Sequence, residues 1–348
     1  MEKQNAGREG SADCRVLRLT ALSSWGVGLF VAAVLSPLLT FPASADLLGN
    51  YGVLSDFGCR PDTESRAVVR TMADSFGVRE FQFYDWFADY STPTSGTTWV
   101  DPFKRKREIC LSTIVTFIDE IHRRGGRAWA YVQAVGAEED DLADDRKGIY
   151  RLIDSKGAWH RHEGRFPTYF LNEAWARRMA AIWAGPVSRI GFDGIHWDSL
   201  GPVAGDYGAE SAGTGEFLRT ARAALVEFGL RQTFNFVDLA WWDADLVTGG
   251  IVEFPYAEVW SRTKATRYYE IMDGREAGDG RGVIAFYPKI DAPPGKNEAH
   301  VFLSRWTESR RHRLSYLLIC NGARRVTGPY YPNTTPLSAK DRVRLRQE

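Results

Sequence analysis

Three acids, Asp85, Asp198 and Glu258, stand at or near the ends of short apolar or aromatic runs: Glu80–Asp85, Gly191–Asp198 and Val252–Trp260. If these runs are parallel strands of a closed barrel, their C-terminal ends converge on one face, and acids distant in sequence become neighbours. Two carboxylates flanking a glycosidic bond suffice to cleave it. One attacks or guides water, while the other, kept protonated by its surroundings, gives a proton to the departing oxygen. Metal ligation is the rival use of the same acids, and the pattern disfavours it. The six histidines are scattered, His160/His162 and His300/His312 have no ligand spacing, and His-Glu-x-x-His and EF-hand loops are missing. The acidic run Glu138–Asp145 reads as a solvated loop face rather than a calcium site. No Gly-x-Ser-x-Gly elbow is present, which removes the commonest serine-hydrolase arrangement. No metal or other cofactor is therefore expected, and His196 reads as a packed or orienting side chain rather than a base.

The elements that must position these acids alternate. Tyr51–Leu54 is a weak first strand, and helical spacing over Glu64–Phe76 ends at Gly77. Strand Glu80–Asp85 leads through a long polar loop, 87–107, to an amphipathic helix over Leu111–Arg124 that Gly125-Gly126 closes. Arg127–Val132 is the third strand. The stretch Gly136–Asn172 then reads as a β-hairpin insertion over the top of the sheet, with runs at Tyr150–Ile153 and Trp159–Arg161 and a turn at Ser155-Lys156-Gly157. Excursions this long are usually lids or binding loops. Asn172 is placed to cap a helix over Glu173–Arg189, which delivers the central strand ending on Asp198. Helix Gly215–Phe228, strand Thr233–Val237, strand Val252–Trp260, helix Thr263–Gly274 and strand Val283–Tyr287 follow. Glu298–Ile319 is expected to be helical at least in part, and Ala323–Thr327 to be the last strand. Eight strands alternating with helices predict a single (β/α)8 barrel, an α/β fold with a β-hairpin insertion after strand 3; a doubly wound sheet is the alternative.

The first 45 residues read as a leader. Arg15 and Arg18 precede an apolar run from Trp25 to Phe41, and Ala43-Ser44-Ala45 supplies a small-x-small cleavage pattern. Export is the expectation, with an uncleaved N-terminal anchor as second choice, and residues 46–348 form the catalytic barrel. Cys59, Cys110 and Cys320 remain; three buried thiols are favoured, with one bridge and one free thiol allowed. Zero formal charge gives no argument for nucleic acid or a membrane surface, while 12 Trp and 14 Tyr supply faces on which sugar rings can stack.

Five blocks carry a resemblance: Gln82-Phe83-Tyr84-Asp85-Trp86, Gly191-Phe192-Asp193-Gly194 running to Asp198 and Gly201, Phe234-Asn235, Tyr256-Ala257-Glu258-Val259-Trp260 and Tyr330-Tyr331-Pro332-Asn333. In that order, from Tyr51 to the C-terminus, the chain resembles the catalytic barrel of bacterial endodextranases and cycloisomaltooligosaccharide glucanotransferases, glycoside hydrolase family 66. The resemblance implies a retaining mechanism on α-1,6-linked glucan. It makes Asp198 the nucleophile, Glu258 the acid/base and Asp85 an acid that shapes the site of the cleaved sugar. Tyr84, Trp86, Tyr131, His196, Trp197, Asn235 and Trp260 are the expected substrate-binding residues. One departure stands beside the nucleophile: where the family has Trp-Gln-Gly-Asp-Thr, this chain has Ile195-His196-Trp197-Asp198-Ser199, with bulk in place of glycine.

The resulting expectation is an exported, retaining hydrolase of dextran-like α-glucan. Glycosyl transfer or cyclisation on the same glucan, or a non-catalytic carbohydrate-binding barrel, are the alternatives. Its expected partner is an α-glucan polysaccharide or oligosaccharide, with no nucleic acid, no membrane beyond an N-terminal anchor, and a monomeric state.

Overall fold

The computed structural model describes residues 50–103, 107–138, 152, 157–158, 160–162, 166–199, 210–259, 261–274, 282–286, 308–312, 314–320 and 326–327, with backbone alone at 162, 210–212, 286, 316–320 and 326–327. The leader, the acidic run beyond Glu138, Trp260 and the Tyr330–Asn333 block lie outside them. No described helix is long and apolar enough to cross a membrane.

The described elements are β1 (Asn50–Leu54), α1 (Asp62–Phe76), β2 (Val78–Phe83), β3 (Thr98–Val100), β4 (Glu108–Cys110), α2 (Leu111–Arg123), β5 (Arg127–Gln133), β6 (Arg161–His162), β7 (Phe166–Pro167), α3 (Glu173–Ile190), β8 (Gly194–Asp198), α4 (Glu210–Val226) and β9 (Arg231–Asn235). A 3₁₀ turn (Val237–Leu239), α5 (Ala244–Thr248), β10 (Pro255–Val259), α6 (Arg262–Asp273), β11 (Gly282–Phe286), β12 (Leu314–Cys320) and β13 (Val326–Thr327) complete them. Strands β1-β2-β5-β8-β9-β10-β11-β12 pair in parallel in that order, and β1 pairs with β12 to close the ring. This is the expected (β/α)8 barrel.

Three details differ from the sequence reading. The eighth barrel strand is Leu314–Cys320, inside the stretch expected to be partly helical; only 308–311 of that stretch is helical among the described residues. A continuous apolar run such as LSYLLIC carries no period that separates a buried strand from a buried helix. The expected last strand contributes instead the short β13, antiparallel to β12. The loop 87–107 is not plain loop, because it contains β3, which pairs as a hairpin with β4 directly after it. The insertion after the third barrel strand carries an antiparallel pair too, β6 with β7, and Leu152 is tied to it through His160 N and Thr168 O, at 2.7 and 3.0 Å.

Cys59 and Cys110 form a disulfide with their Cα atoms 5.1 Å apart, which corrects the favoured reading of three buried thiols. Cys59 is exposed in the loop after β1, so spacing along the chain gave no sign of the contact that the barrel makes between β1 and β4.

Two layers of apolar packing follow from the alternation of side chains along each strand. The larger core lies between strands and helices, and a smaller one (Tyr51, Val53, Trp129, Phe254, Tyr256, Val283, Ala285) fills the barrel axis. At the N-terminal end Arg127 joins Glu80 at 2.7 Å and Glu253 at 2.5 Å, Arg231 joins Glu253 at 2.6 Å, and the Trp129 indole donates to Glu80 at 2.6 Å. Burial raises the Glu80 pKa, while Arg127 and Trp129 oppose it. These acids are paired with cations where they stand, as buried charge requires.

The Gly191–Gly194 block does structural work for β8. The Asn172 side chain caps α3 by accepting from Trp175 N at 2.9 Å, and Gly191 ends that helix at φ 101°, a left-handed conformation that favours glycine. The Asp193 carboxylate then accepts from Ala128 N at 2.7 Å and meets His122 Nε2 at 2.8 Å, fixing the start of β8 against β5. A Cβ at Gly194 would lie 2.4 Å from the Arg231 carbonyl oxygen and 2.6 Å from the Trp129 ring, so only glycine fits.

Candidate active site

The strand register sets the site. Gln133 of β5 pairs with Asp198 of β8, Trp197 with Phe234 of β9, and Tyr256 of β10 with Asn235 of β9. Inward-facing positions of β5 and β8 are therefore Trp129, Tyr131 and Gln133, and Gly194, His196 and Asp198. At the C-terminal mouth the Asp198 carboxylate accepts from Tyr131 Oη (2.8 Å) and Gln133 Nε2 (3.3 Å) on one oxygen, and from Asn235 Nδ2 (2.6 Å) on the other. Its backbone carbonyl accepts from Ala134 N at 2.7 Å. Burial in this polar but closely walled pocket lifts the Asp198 pKa from the ordinary 3.8 to about 6, against the pull of the Asn235, Tyr131 and Ser199 hydrogen bonds.

Asn235 joins the two acid-bearing strands. Its Nδ2 holds Asp198, and its Oδ1 accepts from the backbone N–H of Glu258 at 3.1 Å, while Ser199 Oγ donates to its carbonyl at 2.8 Å. The amide is fully buried, so it supports the acids from behind. Tyr84 reports the convergence of all three acids. Burial raises its hydroxyl pKa, and the charges of Asp85, Asp198 and Glu258 each raise it further. Its ring lies 4.3 Å from that of Tyr131.

The remaining expected substrate-binding residues divide by direction. His196 forms part of the floor, buried among Tyr51, Tyr131 and Tyr256, with Nδ1 at 2.8 Å from Thr233 Oγ1. Burial depresses its pKa to about 3, so the ring is neutral and does not serve as a proton donor near neutral pH. Trp86 is fully buried and its indole donates to the Tyr131 carbonyl at 3.1 Å, bracing the end of β5. Trp197 points away from the axis. Its indole donates to Gln232 Oε1 at 2.9 Å, and its ring meets Phe217 of α4 edge-on at 5.4 Å. The structure thus does not bring Trp86 or Trp197 to the mouth, and the bulk beside Asp198 enters the layer between strand and helix. Asp85 turns out of β2 with a left-handed backbone, φ 53°, and is 1% exposed; Arg107 Nη2 reaches its carboxylate at 3.3 Å.

Gln133, Thr233 and Arg107 were not singled out from sequence. Gln133 and Thr233 lie two residues from Tyr131 and Asn235, so the period of two along a strand carried a signal for them. Arg107 had none, since it arrives from the β3–β4 hairpin. Among the described residues, one group of ligand-type side chains is close enough to share an ion: Cys59, Glu108 and Cys110. Two of its sulfurs are joined in the disulfide.

The comparisons with known proteins agree with this geometry. The family model "Glycosyl hydrolase family 66" matches residues 38–303. Two cycloisomaltooligosaccharide glucanotransferases of Niallia circulans are each 28% identical, over 262 and 265 residues, covering 67% of this chain and 27% of theirs. The chain thus spans about a quarter of the length of the curated relatives it matches. A solved cycloisomaltooligosaccharide glucanotransferase from Paenibacillus sp., complexed with cycloisomaltoheptaose, superposes with a TM-score of 0.60 at 25% identity, covering 72% of this chain and 40% of that one. The chain belongs to glycosyl hydrolase family 66.

Proposed function

We propose that this chain is a retaining glycosidase-type enzyme that cleaves α-1,6-glucosidic bonds in dextran-like glucan by double displacement, with Asp198 as nucleophile and Glu258 as acid/base. The observation that carries the reading is the Asn235 bridge, one amide that binds the Asp198 carboxylate and the Glu258 backbone together. The acids stand two strands apart, about 9–10 Å along the wall at the usual strand spacing. Glu258 lies two residues beyond Tyr256 of the axial core, on the inward face of its strand like Asp198, and retention uses carboxylates about 5 Å apart.

In the first step an Asp198 oxygen attacks the anomeric carbon as its bond to the leaving oxygen breaks, and Glu258 delivers a proton to that oxygen. In the second, Glu258 takes a proton from water, whose oxygen displaces Asp198 and leaves the product with the starting anomeric configuration. The hydrogen bonds to Asp198 from Tyr131 and Asn235 fix the attacking oxygens and stabilise their charge before substrate arrives. Tyr84, Asp85 and Trp260 would line the sugar site, and export of the enzyme would bring it to its polymer.

A second reading, transfer of the glucosyl unit to a sugar hydroxyl with chain lengthening or cyclisation, is favoured by the glucanotransferase activity named for the relatives. Reducing ends released from dextran by wild type, Asp198→Asn and Glu258→Gln test the chemistry, and near-normal release by either variant would overturn it. Mass spectrometry of the products separates the fates: closed rings or lengthened chains mean transfer, short linear oligosaccharides mean hydrolysis.

A further inference from the structure

Asp85 is held in an unusual state. Its left-handed backbone, φ 53°, is one that residues with a Cβ seldom adopt and keep only where their surroundings impose it. It is also a buried carboxylate, which needs a nearby countercharge. Arg107 meets both needs from outside the barrel. Its Nη2 lies 3.3 Å from Asp85 Oδ2 and its Nη1 donates to the Ser55 carbonyl at 3.0 Å, so one planar fork clamps the exits of β1 and β2 together.

Arg107 is itself held. Its backbone N donates to Asp101 Oδ2 at 3.2 Å, and its carbonyl accepts from Asp101 N at 3.1 Å. The hairpin it sits on is fastened three ways: the Trp99 indole donates to the Trp86 carbonyl at 3.0 Å, Cys110 N donates to the Phe57 carbonyl at 2.9 Å, and Cys110 is disulfide-bonded to Cys59. The β3–β4 hairpin therefore acts as a strap over the β1 and β2 exits, and its guanidinium sets the residue that follows Tyr84. Tyr84 packs on Tyr131, which donates to Asp198, so the clamp connects to the candidate nucleophile through packed side chains.

Resting on the proposed function, we propose that Arg107 is a positioning residue, holding Asp85 in the wall of the sugar site, and that the Cys59–Cys110 disulfide keeps it there in the free protein. No contact between Arg107 and sugar is required.

The test uses the full chain in an Asp198→Asn background, with isomaltotriose as probe and tryptophan fluorescence or calorimetry as readout. Melting temperatures are measured alongside, and kcat and KM on dextran in the active background. Losing a charge-assisted hydrogen bond predicts about tenfold weaker binding for Arg107→Gln. Arg107→Lys recovers part of this, because an ammonium keeps the charge but cannot reach Ser55 and Asp85 together. Cys59→Ser/Cys110→Ser leaves the clamp in place but loosens its base, giving a smaller loss of affinity than Arg107→Gln. A merely structural role would lower the melting temperature and leave affinity unchanged, and that result in all three variants overturns the proposal while the proposed function stands. If Arg107→Gln does not fold, Arg107→Lys decides: weaker binding supports the clamp, and unchanged binding overturns it. If the Asp198→Asn parent fails to bind and wild type releases nothing from dextran, the proposed function falls and the clamp with it.

Discussion

Replacing Asp198 with asparagine should make the protein more stable at neutral pH while abolishing its chemistry. Burial raises this carboxyl from 3.8 to about 6 in the fold. Between those values the native state holds a proton that the unfolded chain gives up, so stability falls as pH rises through that window and stays lower above it. A difference of about 2 in pKa corresponds to about 3 kcal/mol at pH 7. Asp198 keeps some accessible surface at the mouth, and solvent screens part of its charge, so we take about half, roughly 1–2 kcal/mol.

The amide can be received without new orphans. In Asp198→Asn the introduced Oδ1 can face the Asn235 amide, leaving the introduced Nδ2 toward Tyr131, whose hydroxyl can accept. Gln133 Oε1 is buried without a hydrogen-bond partner, and a flip of that amide turns an acceptor toward the same introduced Nδ2. For a chain of this size the gain corresponds to a melting temperature about 1.5–3 °C higher at pH 7. Scanning calorimetry of wild type and Asp198→Asn from pH 4 to pH 8 checks it. The two should converge near pH 4, where wild-type Asp198 is protonated, and diverge between pH 4 and 7, with titrations elsewhere cancelling in the difference. If the variant melts below wild type at pH 7, or the two curves run parallel, the raised pKa is not a cost to folding and the reasoning is refuted.

The same titration should appear in catalysis: the proposed nucleophile must be ionised, so initial rates on dextran should rise with pH through a limb near 6, and a flat profile from pH 4.5 to 7 would contradict it. Asn235→Ala removes a hydrogen bond to Asp198 and the tie to Glu258, and should lower kcat by about 10²–10³-fold with a smaller change in KM, read from steady-state kinetics. Trp197→Ala should cost about 3–5 kcal/mol in denaturant unfolding by opening a cavity between β8 and α4, yet leave the KM of the folded protein within about twofold; a large KM change with intact stability would return Trp197 to the sugar site.

The alternation of strand and helix, the acids at strand ends and the helix stop at Gly77 were readable because each is a local demand. A helix stop needs a left-handed residue, as at Gly77, whereas the close strand contact that excludes a Cβ at Gly194 came only with the fold. Period two also placed Trp197 on the face opposite Asp198, although type alone made it look like a sugar platform. The eighth strand was not legible, since a short apolar run has no distinguishing period. Nor were the Cys59–Cys110 bond and the reach of Arg107 to Asp85, which join segments that only ring closure and a folded-back hairpin bring together. Sequence determined which chemistry the chain carries, because residue type fixes what a side chain can donate, accept or attack. The tertiary structure decided which of those groups meet: strand register and barrel closure set distance and direction, and these also govern how far burial moves the Asp198 proton.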